Sequence, residues 1–402
     1  MTHDKIPVLG LKRGRERTVL HGHPWIFSGA IESAGGGDVR PGVADVVDAD
    51  GRWIARGLVN PAADLRVRVY SWNPDPAVDG DLLARRVAAA VAFRAALPPP
   101  AGGGPTDAGR LVYSEADGLS GLVVDRYGDV LSAQVSAAAL APYLPAIRDA
   151  LTQASGVGRI LFHADDDAVR REGIDPAALA AASTFPGGVA RIRENGLAFD
   201  VDVGAGQKTG FFLDQRENRR RVAAYAAGRR ALSVYCYTGA FEANAARAGA
   251  ASILGIDSSE AALERARAHL ALNGLAVPAE YRKADAPAAL RRLRDEGRAF
   301  DLVILDPPRF VFTKAQKEKG LRAYKDINLL GIKLLAPGGI LATFSCSGLV
   351  SEADFRLAVA WAASDAGRTV RILEALAQPA DHPVLITFSE SAYLKGLICR
   401  AD

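Results

Sequence analysis

The chain has 402 residues, of which 49% are apolar and 24% charged, with a formal net charge of +3. That length argues for two or three domains at ~150 residues each, and the composition excludes wholesale disorder and fibrous repeats. No stretch approaches the ~18 uninterrupted apolar residues that span a bilayer, and Met1 to Gly10 lacks the apolar core of a secretory signal, so a cytoplasmic chain with no membrane partner is expected.

In chain order, residues 1–75 read as a small β domain. Ala44 to Val47 and Trp53 to Val59 flank a turn over 49–52, and Leu65 to Tyr70 alternates. Turn-rich breaks at Pro74 to Gly80 and Leu97 to Gly104 bracket an Ala-rich helix. Residues 76–188 form a second, α+β unit. It holds a hairpin of 121–125 with 130–135 across Arg126 to Asp129, an apolar helix near 140–151 and a strand at 159–162. From 189 to 402, short apolar strands alternate with helices, the pattern of a parallel sheet with crossovers and hence an α/β fold. The expected strands are 231–235, 251–256, 280–283, 302–305 and 340–344, preceded by a strand pair over 190–203.

In such a sheet the ligand lies beyond the carboxyl ends of the strands, so the residues following each strand carry the functional argument. The first strand runs out through Tyr235, Cys236, Tyr237, Thr238 and Gly239. The second ends at Asp257 and Ser258, at the ~20-residue separation of a ribose-binding acid. Only Gly239 stands where a dinucleotide site needs GxGxxG, which argues for an adenosyl cofactor without phosphates. S-adenosylmethionine fits, with NAD as the alternative. Asp257 would accept the ribose hydroxyls, Asp285 the adenine amino group, and Asp306 would face the methionine and methyl end. Singly, each acid is as readily a helix cap; three at successive strand ends point to a site.

Asp306-Pro307-Pro308-Arg309-Phe310 forms a rigid bend with exposed carbonyls, the bend used by nucleic-acid methyltransferases; a plain strand-ending turn is the alternative. The last strand delivers Ser345-Cys346-Ser347-Gly348 to the same edge. The C5 carbon of a pyrimidine is too weak a nucleophile to attack a sulfonium unless a thiolate first adds to C6, and Cys346 is placed for that role. A free thiol titrates near ~8.5 and needs a cationic or hydrogen-bonding setting to ionise at neutral pH; no sequence feature identifies one. Cys236 and Cys399 read as small core residues. With no CxxC pair and no histidine at ligand spacing, neither a disulfide framework nor a metal site is expected. Lys314, Lys317, Lys319 and Lys325, flanked by Arg309 and Arg322, would grip a phosphate backbone or form a solvated helix face.

Taken together these strings resemble the cytosine-5 methyltransferases of 23S ribosomal RNA that carry an N-terminal PUA domain, the large-subunit methyltransferase I type. The resemblance runs through Leu11-Lys12-Arg13-Gly14, Gly22 to Phe27, Gly118 to Gly128, GQKTGFFLDQRENR at 206–219, the bend at 306–310 and SCSG at 345–348. Asp381-His382-Pro383 and Tyr393-Leu394-Lys395-Gly396 complete it. It implies a β-barrel PUA domain that helps hold RNA, where Lys12 and Arg13 lie, then a central α+β domain. A Rossmann-like class I domain follows, binding S-adenosylmethionine with Phe211 and the strand-end residues. It further implies Cys346 as the nucleophile, 23S ribosomal RNA as the substrate, and a homodimer. Related RNA enzymes place a second cysteine in the bend at 306–308 to assist release; this chain has none there. Two rivals stand beside this reading: methylation of an exocyclic amine held by Asp306-Pro307-Pro308, and an inactive RNA-binding or assembly factor.

Overall fold

The computed structural model describes residues 6–35, 41–99, 103–204 and 210–402; the stretch 206–209 of the 206–219 string lies outside the described residues. The N-terminal strands are β1 (Val8–Leu11), β2 (Trp25–Phe27), β3 (Ile31–Gly35), β4 (Gly42–Val47), β5 (Trp53–Val59) and β6 (Leu65–Ser71), with a short helix α1 (Glu16–Leu20). They form one mixed sheet in the order β2-β6-β5-β4-β1-β3 around Leu11, Val46, Val59 and Val67.

A second sheet, in the order β10-β9-β8-β7, is built from β7 (Ala108–Tyr113), β8 (Leu122–Tyr127), β9 (Val130–Val135) and β10 (Arg159–His163). Helices α2 (Gly80–Ala95), α3 (Leu144–Ser155), α4 (Asp166–Glu172) and α5 (Pro176–Ala182) accompany it. The hairpin turn is tighter than expected, because Tyr127 pairs with Val130 and leaves Gly128, at φ +60°, and Asp129 as a two-residue turn. The expected apolar helix is also split. Ala138–Tyr143 is a 3₁₀ turn containing Pro142, and α3 starts only where Pro145 can occupy its first turn.

A separate antiparallel ribbon of β11 (Gly188–Glu194) and β12 (Leu197–Val203) leads into α6 (Arg216–Ala223) and the largest sheet. Its strands are β13 (Arg230–Val234), β14 (Ser252–Asp257), β15 (Ala279–Lys283), β16 (Phe300–Leu305), β17 (Leu335–Ser345), β18 (Val370–Ala377) and β19 (Lys395–Ala401). The crossovers are α7 (Ala240–Arg247), α8 (Glu260–Leu272), α9 (Ala286–Asp295), α10 (Lys317–Lys333) and α11 (Glu352–Ala366). Strand order is β15-β14-β13-β16-β17-β19-β18, with β19 antiparallel to both neighbours. This is the Rossmann-like α/β arrangement.

The central parallel strands read as mostly apolar runs because both faces are covered. Leu232, Val234, Ile256, Val303 and Leu305 pack on one side, and Ala231, Ile253, Leu302, Ile304 and Ala342 on the other. Register then sets the site. Val234 pairs with both Ile256 and Leu305, and Leu305 with Thr343, so the residues after β13, β14, β16 and β17 reach one edge together. The chain reverses its winding between β13 and β16, which opens a crevice at that edge. No helix among the described residues is long and apolar enough to cross a membrane.

Candidate active site

The crevice is a cavity of about 670 Å³, within the range of sites that enclose a cofactor. Tyr235, Cys236, Tyr237 and Thr238 form one wall, Asp257 and Ser258 the next, Asp306 to Arg309 and Cys346 another, and Phe211, Phe212, Asp214 and Gln215 close it.

The loop after β13 owes its shape to left-handed backbone at alternate residues, φ +63° at Tyr235, +49° at Tyr237 and +78° at Gly239. Such conformations cost a non-glycine residue roughly 1–3 kcal/mol and persist where surrounding bonds enforce them. Here Cys236 N donates to the Ile256 carbonyl at 3.1 Å and Tyr237 N to Asp257 Oδ2 at 2.9 Å. Asp257 Oδ1 accepts from Ser259 N at 3.0 Å, so both carboxylate oxygens are fixed while keeping a further lone pair each. Gly239 does not line the cavity. A Cβ there would sit 2.7 Å from that of Ala266, so the glycine allows α7 to pack on α8 rather than a phosphate to approach.

Asp306 is half-buried, and its Oδ1 accepts from Gln215 Nε2 at 2.9 Å. Asn218 donates to Gln215 Oε1 at 2.7 Å, which fixes the amide orientation and aims its NH₂ at Asp306. Asp285 stands outside the cavity wall. It is exposed and caps α9, accepting from Ala288 N at 3.1 Å. Its charge still reaches the site, because burial first, then Asp285 and Asp257, push the Tyr235 hydroxyl up to about 12.

Cys346 is half-buried, with Sγ 3.9 Å from the Pro307 carbonyl, whereas Cys236 and Cys399 are buried. Burial raises both of those thiols, Cys399 to about 12. Behind Cys346, the Ser347 hydroxyl bonds Tyr324 Oη at 2.9 Å, and Lys395 Nζ donates to the carbonyls of Ser347 and Val350 at 2.7 Å each. Burial lowers the Lys395 ammonium to about 8, with Arg309 adding to the fall and Cys346 and Asp354 opposing it.

Arg219 is a cavity residue that sequence reasoning missed. It makes a bidentate pair with Glu194, at 2.7 and 2.5 Å, and stacks 4.7 Å over the Phe211 ring. The string Asp214 to Arg219 is entirely polar yet mostly buried, so hydropathy offers no sign of its position. Asp381 ties the sheet to the central unit, accepting from Arg216 Nη1 at 3.0 Å and Arg110 N at 3.2 Å. Burial disfavours its charge, but His382 and Arg216 outweigh that and hold the carboxyl well below the usual range.

The basic candidates divide. Lys314 and Lys319 are exposed, and neither has an ion-pair partner among the described residues. Arg309 lies exposed at the cavity rim, 6.0 Å over the Phe312 ring. Lys317 instead pairs with Asp354 at 2.7 Å, which with Ser351 holds that carboxyl down to about 2 and steadies the cap of α11. In the first sheet Lys12 Nζ donates to the Gly29 carbonyl at 3.0 Å, and Arg13 pairs with Asp50 at 2.6 Å.

The strand-end acids and a cavity of this size, with no glycine-rich phosphate cradle among the described residues, fit an adenosyl sulfonium. Comparison with known proteins agrees. Residues 143–400 match the family model of S-adenosylmethionine-dependent methyltransferases, and residues 9–72 match that of PUA-like domains. The chain is 42% identical over 392 residues to ribosomal RNA large subunit methyltransferase I of Shewanella denitrificans, covering 97% of this chain and 98% of that one. Its counterpart in Klebsiella pneumoniae is 39% identical over 401 residues and the full length of both. Among solved structures, a chain from Streptococcus mutans described as a SAM-dependent methyltransferase shares the fold, with a TM-score of 0.81 at 19% identity over 98% of this chain and 99% of that one. Equal figures hold for a methyltransferase solved in complex with S-adenosylhomocysteine. The chain therefore belongs to the ribosomal RNA large subunit methyltransferase I family and takes S-adenosylmethionine as its cofactor.

Proposed function

We propose that the protein methylates C5 of a cytosine in 23S ribosomal RNA, in the cytoplasm, through a bond between Cys346 Sγ and C6 of the base. The observation that carries this reading is the Cys346 thiol, which lines the same cavity as Asp257 and Asp306 and stands beside the Pro307 carbonyl. The names of the relatives supply the RNA.

A sulfur lone pair would form the S–C6 bond and push the C5–C6 π pair toward C5. Bound S-adenosylmethionine supplies an electrophilic methyl group for that carbon. Removal of the C5 proton would then restore the double bond and expel the thiolate, so the enzyme emerges unchanged. The base must leave its stack to present both faces. Amine methylation is the less favoured reading, because Asp306 Oδ1 is already engaged by Gln215 and an arginine follows the two prolines. RNA methylated with labelled cofactor and digested to nucleosides should yield 5-methylcytidine; N4-methylcytidine or N6-methyladenosine would overturn the assignment.

Asp257 would hold the ribose hydroxyls with the lone pairs its backbone donors leave. Asp257→Ala should weaken cofactor binding by about 1–3 kcal/mol, roughly 10- to 100-fold, in calorimetry. Unchanged affinity would remove the ribose from that position.

RNA would be gripped by Arg309, Lys314 and Lys319, aided by the N-terminal domain. Lys12 and Arg13 would have to leave their present partners to contribute. Neutralising Lys314 and Lys319 together should weaken binding and flatten its salt dependence by up to about two units of slope. An unchanged slope would return both to a solvated face. Lys317→Ala should act mainly on stability, since it breaks the pair with Asp354.

A further inference from the structure

We infer that Lys395 is the cationic partner of Cys346, a positioning residue that clamps the Ser345 to Val350 turn and holds the sulfur as thiolate. The inference rests on the reading of Cys346 as the nucleophile, and it supplies the ionising group that no sequence feature identified.

The geometry starts in the sheet. Lys395 opens β19 and pairs in register with Ser345, the last residue of β17, so its stem begins one position from Cys346 on the adjoining strand. Its Nζ then donates to Ser347 O and Val350 O, the two carbonyls that bracket the turn after the cysteine, at 2.7 Å each. An ammonium has three donors, and those two bonds leave one for a further partner. A lysine that served only to tie the turn would need no anion, yet holding a half-buried ammonium beside neutral carbonyls is less costly with one.

Three groups face this ammonium electrostatically: Cys346, Arg309 and Asp354. Asp354 is already committed to Lys317 at 2.7 Å and to the Ser351 hydroxyl at 2.6 Å. Arg309 is exposed and repels. The Tyr324 hydroxyl, bound to Ser347 Oγ, faces Cys346 as a neutral group, since burial keeps its proton on. A thiolate at Cys346 is the anion that completes the set. Burial brings the Lys395 ammonium down to about 8, close to a thiol's ordinary ~8.5, so the two can share one proton. When the amine is neutral, the thiol proton passes to Nζ and leaves a thiolate–ammonium pair with no change in total charge. When C6 later expels the sulfur, the electron pair returns to the same place.

The test is the pH dependence of Cys346 alkylation by iodoacetamide in the full-length protein, read by mass spectrometry of the Cys346 peptide so that Cys236 and Cys399 do not contribute. Unsubstituted protein and Lys395→Arg should reach half-maximal reactivity at least about one pH unit below Lys395→Gln, which keeps a carbonyl-binding NH₂ but no charge. That shift is roughly a tenfold difference in rate near neutral pH. Coincident profiles for all three overturn the inference. If Lys395→Gln fails to bind cofactor, the unsubstituted profile decides alone, and half-maximal reactivity at or above ~8.5 overturns it. A depressed profile in a protein that forms no adduct with 5-fluorocytidine RNA supports the ion pair while removing Cys346 as the nucleophile, which separates the two claims.

Discussion

Cys346→Ala should abolish methyl transfer, with a loss on the order of 10⁴-fold or more, while binding S-adenosylmethionine about as tightly as the unsubstituted protein. The asymmetry follows from the cavity. Cys346 stands at the end of β17 with Asp306 and Pro307, whereas the loop after β13 and Asp257 form separate walls. Removing the thiol therefore deletes the proposed nucleophile and leaves the proposed ribose contacts intact. Cys399→Ala should keep activity and lose only packing, because its thiol is buried away from the cavity. Retained methylation by Cys346→Ala would move the chemistry to an exocyclic amine facing Asp306.

The largest loss of stability is expected at Glu194. Its carboxylate and the Arg219 guanidinium are 0% and 3% exposed, so Glu194→Ala leaves a charge buried without its partner. Breaking such a pair costs about 3–5 kcal/mol, a large fraction of what holds most domains together. The same substitution should weaken cofactor binding, because Arg219 supports Phe211 and donates to the Phe212 carbonyl at 2.9 Å. Denaturant unfolding with and without cofactor separates the two effects. Replacing both partners by leucine should recover much of the stability without recovering cofactor affinity. A loss under about 1 kcal/mol for Glu194→Ala would mean that water takes the place of the carboxylate.

The central parallel strands were legible because burial on both faces leaves short, mostly apolar runs, and β13, β14 and β16 fall within two residues of their expected ends. Asp257, Asp306 and Cys346 were legible for the same reason, since a strand that is found shows where its carboxyl end lies. Strand β18 was not. Val370 to Ala377 (VRILEALA) is half Leu and Ala, breaks its apolar run at Arg371 and Glu374 and is mostly exposed, so pairing with β19 rather than local preference makes it a strand. Buried polar residues were equally hidden. Nothing local in RENRRRVA announces that Arg216, Asn218 and Arg219 are inside, and Lys395 reaches the cysteine turn only through the β17–β19 register. Lys317 shows the reverse, a cation in a basic run whose partner, Asp354, lies on another helix.

The central claim is that a covalent bond joins Cys346 to C6 of a cytosine, and RNA carrying 5-fluorocytidine at the target tests it most directly. Fluorine at C5 cannot leave as a proton, so once the methyl group is transferred the thiolate cannot be expelled and the adduct persists. Unsubstituted protein with S-adenosylmethionine should give a protein–RNA band that survives denaturant and carries the label of the methyl group, and Cys346→Ala should give none. Methylation of the unfluorinated RNA to 5-methylcytidine with no such band from its fluorinated form would contradict the mechanism.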